Sequence, residues 1–160
     1  MVARAHSSGQ RVEWLIWLTS GATIPAVIAN LQCVVLDCAD VHELAEFYRS
    51  LLGGTVNLPD QQWSLDDDWA TLHTRAGLVL AFQRAEDHQP PQWPEPARPQ
   101  QLHLDLAVKD LDEAQEHVLK LGATLLDVGE GDRSWRIYAD PAGHPFCLAP
   151  ARVGRPPRLS

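Results

Sequence analysis

Cys33-Val34-Val35-Leu36-Asp37-Cys38-Ala39-Asp40 leads into an amphipathic run that ends at Leu51-Leu52-Gly53-Gly54, and the chain then repeats the arrangement. The second copy is His103-Leu104-Asp105-Leu106-Ala107-Val108-Lys109-Asp110, with a run ending at Leu121-Gly122-Ala123. Asp40 and Asp110 each stand three residues before a glutamate, Glu43 and Glu113, which is the signature of a capped helix start. The apolar face of the run reads Leu44, Phe47, Tyr48 and Leu51 in the first copy, and Ala114, His117, Val118 and Leu121 in the second. All four positions move by one interval and keep the period of an α-helix. A shared interval across cap and face marks a duplicated strand–helix unit.

The second half of each unit repeats more faintly. Trp69-Ala70-Thr71-Leu72-His73-Thr74-Arg75-Ala76-Gly77 precedes Leu78-Val79-Leu80-Ala81-Phe82-Gln83. Trp135-Arg136-Ile137-Tyr138-Ala139-Asp140-Pro141-Ala142-Gly143 precedes His144-Pro145-Phe146-Cys147-Leu148-Ala149. Asp140-Pro141-Ala142-Gly143 is a turn signal, because proline presets φ and glycine accepts φ > 0. Each unit reads as strand, helix, then two or three strands joined by tight turns, a βαβββ module occurring twice.

The rest of the chain bounds the function. At 160 residues, one domain or two small fused modules is expected, and 45% hydrophobic content suits a packed core. A formal net charge of −8 argues against nucleic acid or an anionic membrane as partner. Three cysteines without an even framework point to free thiols and a reducing, cytoplasmic setting. Residues 1–28 stand outside the repeat; Trp14-Leu15-Ile16-Trp17-Leu18 faintly resembles a secretory signal, but Glu13, Gly21 and Pro25 break it, and a poorly structured extension is expected. The modules then cover 29–88 and 101–150. Residues 89–100 form a Pro-rich, polyproline-like linker, and 151–160 a basic flexible tail with Arg152, Arg155 and Arg158.

The two modules, the Leu-Asp-Cys-Ala-Asp lead-in to the first helix and Tyr138-Ala139-Asp140-Pro141-Ala142-Gly143-His144 before the last strand together resemble the vicinal-oxygen-chelate superfamily. That group includes glyoxalase I, extradiol dioxygenases and the bleomycin- and fosfomycin-resistance proteins, and the resemblance is nearest to its glyoxalase-like branch. It implies an α+β fold in which two tandem βαβββ modules pair into a curved, half-barrel mixed sheet around one cleft. In metal-dependent members the ligands come from the first and last strands of each module. Carried over, these positions are Cys33, Ala81, His103 and Cys147, and only His103 matches the usual His, Gln or Glu. Alanine has no donor atom, so the expectation is no cofactor. A zinc site built from Cys33, His103 and Cys147 stays open as the alternative. Gln83, two positions past Ala81, is the nearby polar substitute.

Alternation sorts the cleft-lining residues. Val34, Leu36 and Cys38 are uniformly apolar, as are Leu104, Leu106 and Val108, so these sets face the helices. Cys33, Val35 and Asp37, and His103, Asp105 and Ala107, face the cleft. His103 and Asp105 are the candidate catalytic pair, since a carboxylate beside an imidazole orients it for proton transfer. Trp63, Trp69, Trp93 and Trp135 fall in cleft-rim segments and suggest an aromatic-walled cavity, with Arg136 a candidate anion anchor. Asp66-Asp67-Asp68 reads as a solvated turn. His117 is expected in the core, His42 and His88 in solvent, and His144 as a turn stabiliser. The expected function is binding of a small organic molecule, with a metal-independent lyase or isomerase using His103 and a drug-binding protein of the bleomycin-resistance type as alternatives. A homodimer is left open.

Overall fold

A computed structural model describes residues 28–59, 67–129 and 133–151, and every element lies in one compact unit, Gln32–Ser160. The calls on the N-terminal extension (apart from its last residue, Ile28), on Trp63 and Asp66, and on the arginines of the tail lie outside the described residues.

The first module runs β1 (Val34–Cys38), α1 (Val41–Leu52), β2 (Thr55–Val56), β3 (Trp69–His73) and β4 (Val79–Arg84). The second runs β5 (Leu104–Val108), α2 (Leu111–Lys120), β6 (Thr124–Asp127), β7 (Arg136–Ala139) and β8 (Pro145–Pro150). Each module forms its own four-stranded sheet, in the orders β1-β4-β3-β2 and β5-β8-β7-β6. In both sheets the first strand pairs parallel with the last, and the remaining pairs are antiparallel. The sequence repeat is therefore a topological repeat: two tandem βαβββ modules of an α+β fold.

Both helices begin where the capping signatures predict. Asp40 Oδ1 accepts the backbone N–H groups of His42 and Glu43 at 2.9 and 3.0 Å, and Asp110 Oδ1 accepts that of Glu113 at 2.9 Å. These bonds satisfy donors that the first helical turn leaves open. Gly53, at φ 68°, stops α1 and sends its N–H to the Arg49 carbonyl.

The helices bury unequal faces. Val41, Leu44, Ala45, Phe47 and Tyr48 of α1 are buried, whereas α2 fully buries only Val118. Leu36, Cys38, Leu72, Phe82, Tyr138, Phe146 and Leu148 complete a single core drawn from both modules. Phe47 meets Phe146 edge-on at 5.9 Å and Tyr48 stacks on Phe82 at 5.8 Å, so α1 touches both sheets.

Three expectations are corrected. His117 is exposed, because Ala114 and His117 offer α2 far less apolar surface than Leu44 and Phe47 offer α1. His88 is half-buried, its Nε2 donating to the Ala142 carbonyl at 2.8 Å. The linker is folded into tight turns rather than a polyproline helix: Gln92 N–H bonds the Arg98 carbonyl, Glu95 N–H that of Gln92, and Arg98 N–H that of Glu95. Its Trp93-Pro94 bond is cis. Pro90 packs directly on Gly143 (φ 90°), where a Cβ would collide with the proline ring.

Candidate functional site

Strand alternation distributes the side chains as the sequence predicts. Leu36 and Cys38 of β1 are buried while Val35 and Asp37 are exposed. Leu104, Leu106 and Val108 of β5 pack on the core, leaving His103, Asp105 and Ala107 on the opposite, open face. Register places Asp105 beside Cys147 and Cys147 beside Ile137, one row across the second sheet. The matching row of the first sheet is Val35, Ala81 and Thr71. Ala81 and Thr71 are fully buried there.

The open face of the second sheet forms a cleft of about 840 Å³. His103 and Asp105 line it with Cys147 of β8, Trp135 and Ile137, and the linker contributes Trp93 and Gln100. Of the candidate residues, His103, Asp105, Trp93, Trp135 and Cys147 therefore meet in one cavity. Cys33, Trp69 and Gln83 do not line it. Trp69 and Gln83 are neighbours on the first sheet, with Asp37 on the other side of Gln83. Arg136 turns to the helix side, where Nη2 reaches Asp112 Oδ1 at 2.6 Å and Nη1 the Leu111 carbonyl at 3.4 Å. Asp112 holds its guanidinium firmly protonated, so as an anion anchor it is already engaged.

Inside the cleft, His103 Nε2 lies 3.6 Å from Asp105 Oδ1 and Nδ1 lies 3.4 Å from the Gln100 amide nitrogen. The imidazole is thus addressed on both ring nitrogens while half its side-chain surface stays open to solvent. Burial, reinforced by the charge and hydrogen bonding of Asp105, pushes the Cys147 thiol up to about 11. At neutral pH this favours the thiol form of Cys147 over the thiolate.

The positions carried over from metal-dependent relatives do not fit a divalent ion. Ala81 has no donor, and no group of three or more His, Cys, Asp or Glu that could hold a metal occurs among the described residues. Of the three residues of the alternative zinc site, His103 and Cys147 line the cleft and Cys33 does not. All three cysteines are free.

Gln100 escapes the sequence reading; its signal was its place just ahead of His103, on the same approach to β5. A narrower groove of about 380 Å³ was also not anticipated. Val35, Asp37, Arg98, His88 and His144 are among its walls.

The sequence profile of the glyoxalase-like domain matches residues 33–149, which spans both modules and the cleft between linker and second sheet. The chain belongs to the glyoxalase-like domain family. Solved structures in the vicinal-oxygen-chelate superfamily share the fold. The fosfomycin resistance protein FosX from Listeria monocytogenes is 16% identical, with 79% of this chain and 97% of that chain covered and a TM-score of 0.57. A glyoxalase/bleomycin resistance protein/dioxygenase family enzyme from Burkholderia phytofirmans is 16% identical, covering 75% and 97% at a TM-score of 0.57. A variant of the Listeria FosX, 17% identical over 79% and 96% with a TM-score of 0.55, was crystallised with Mn(II) and 1S,2S-dihydroxypropylphosphonic acid. No curated protein matches this glyoxalase-like chain in sequence. No described helix is long and apolar enough to cross a membrane.

Proposed function

We propose that this glyoxalase-like protein binds a small organic molecule in the cleft of its second module. The observation that carries the reading is the convergence of Trp93 from the linker and Trp135 from the approach to β7 on one cavity that also holds His103 and Asp105. Concave, largely apolar sites with a few polar groups are the usual places for small ligands. This reading takes the binding as metal-independent, and Ala81, which has no donor atom, supports it. Three free cysteines suit a reducing, cytoplasmic setting. The exposed Val35 and Leu126 leave apolar surface for a second copy in a homodimer.

Titration of aromatic and dicarbonyl compounds against tryptophan fluorescence tests the site. Trp93→Ala and Trp135→Ala should each weaken binding by about threefold to tenfold, the usual range for one exposed aromatic contact. Equal affinity in the wild type and both variants would move the ligand elsewhere. Metal analysis of untagged protein should find less than about a tenth of an equivalent of transition metal.

A second reading has its own observation: the His103 ring has Asp105 at 3.6 Å and Gln100 at 3.4 Å, which supports a role in proton transfer. It makes the protein a metal-independent lyase or isomerase. Under it His103→Ala abolishes turnover of a bound substrate while leaving its affinity within about threefold, whereas a pure binding protein has no turnover to lose.

A further inference from the structure

The cleft has a charge as well as a shape. Among the described residues that line it, Asp105 is the one carboxylate, and none is Lys or Arg. Of its other polar lining groups, the Cys147 thiol is held protonated and Gln100 and Ser134 carry no charge, while His103, 3.6 Å from Asp105, carries a charge only when protonated. Three-quarters of the Asp105 side-chain surface is open, so the carboxylate is available to a ligand. The aromatic groups are two tryptophans, the side chain whose face attracts a cation most strongly. Trp135 already displays this property within the fold. The Arg133 guanidinium lies 6.0 Å from its ring centroid, with its charge answered by Asp127 at 2.9 and 3.3 Å. An anion in the cleft meets the Asp105 carboxylate and two electron-rich ring faces, and finds no guanidinium or ammonium group among the described lining residues.

Resting on the cleft reading above, we infer that the ligand class is an organic cation with a flat apolar body, its charge set by Asp105 and its body by Trp93 and Trp135. Its positive centre sits within Coulomb reach of Asp105, and the rings exclude water from its apolar part. Both attractions act at a partly exposed site, so the preference over a neutral molecule of the same shape is about fivefold.

The test compares phenyltrimethylammonium, its neutral isostere tert-butylbenzene and anionic phenylphosphonate by titration calorimetry. The wild type should bind the cation about fivefold more tightly than the neutral compound, with the anion weakest. Asp105→Asn keeps a hydrogen-bond acceptor for Cys147 and removes the charge. It should erase the cation's advantage over the neutral compound. If cation and neutral isostere bind the wild type equally, and both weaken in Trp93→Ala and Trp135→Ala, the cation class is wrong and the cleft reading stands. A cation preference that survives in Asp105→Asn also overturns the inference. Binding of no probe, or binding that ignores both tryptophan substitutions, overturns the cleft reading and the ligand class together.

Discussion

Asp140 accepts four hydrogen bonds within the described interior. Only 4% exposed, it accepts Tyr48 Oη–H at 2.9 Å, the backbone N–H groups of Ala142 and His144 at 2.9 Å each, and His144 Nδ1–H at 3.0 Å. A buried carboxylate is tolerable only when hydrogen bonds replace its water. Three of these donors are local and shape the Asp140-Pro141-Ala142-Gly143 turn. The fourth, Tyr48, comes from α1 and ties that helix to the second module. Burial, followed by the Asp140 charge and the bond to it, raises the Tyr48 hydroxyl well above its ordinary value, so it stays a donor throughout the physiological range. Tyr48→Phe should cost about 1.5–3 kcal/mol, because the loss leaves a buried charged acceptor short of a partner. Tyr138→Phe removes a bond at 3.0 Å to the half-buried Gln115 and should cost less than about 1 kcal/mol. Urea midpoints at unchanged m-value check the pair, and equal losses would contradict the special standing of Asp140.

At the scale of elements, α1 and α2 share a sequence pattern and a cap but not a share of the core. Asp40 accepts two helix N–H groups and heads a helix with five buried side chains; Asp110 accepts one and heads a helix that fully buries Val118 alone. Asp40→Ala should lower global stability by about 1 kcal/mol. Asp110→Ala should act mainly on α2 itself, seen as faster amide exchange there with a smaller change in the urea midpoint. The Asp40 cap also has a pH signature. Hydrogen bonding from the Glu43 N–H, then from His42, holds its carboxyl below the ordinary 3.8. A folded-state value below the unfolded one means the contribution is present above that ordinary value and lost as pH falls through the folded value. The gap between wild type and Asp40→Ala should therefore close in acid, and a gap independent of pH would show the cap acting through something other than its charge. The capping signatures, the shared interval and the Asp-Pro-Ala-Gly turn made both helices and the doubled strand set legible, because local hydrogen bonding decides them. His117, His88 and the linker were misread because tertiary packing decides them. Sequence spacing fixes which face a residue takes, but not whether anything covers that face, and Arg136 shows the same limit: only the fold brings Asp112 alongside it.

For the whole molecule, the two modules share one core around α1, while the larger cleft lies on the second of them. The row Val35, Ala81 and Thr71 is the apolar or buried counterpart of Asp105, Cys147 and Ile137, so a duplicated architecture carries a single-sided candidate site. Sequence alternation put His103 and Asp105 on the cleft face together with Cys33, because the repeat makes the two sheets look alike, whereas the large cavity is lined by His103 and Asp105 and not by Cys33. The shared core also gives the fold a weakness in alkali. Cys38 is fully buried, its Sγ–H reaching the Gln83 carbonyl at 3.7 Å. Burial, with the charges of Asp140, Asp40 and Asp37 behind it, raises its thiol from the ordinary 9.0 to about 11. A raised folded-state value makes this contribution complete below 9.0 and lost as pH climbs from 9.0 towards about 11, where the unfolded chain ionises its thiol and the folded chain does not. The loss from Cys38 is on the order of 2 kcal/mol, and Cys147, raised to about 11 but only partly buried, adds less. The urea midpoint should therefore hold steady from neutral pH to the ordinary thiol value and fall above it. Cys38→Ala should start lower, since it removes a packed side chain, yet decline more gently across that window. Parallel decline in wild type and variant would mean that Cys38 ionises as readily in the fold as outside it.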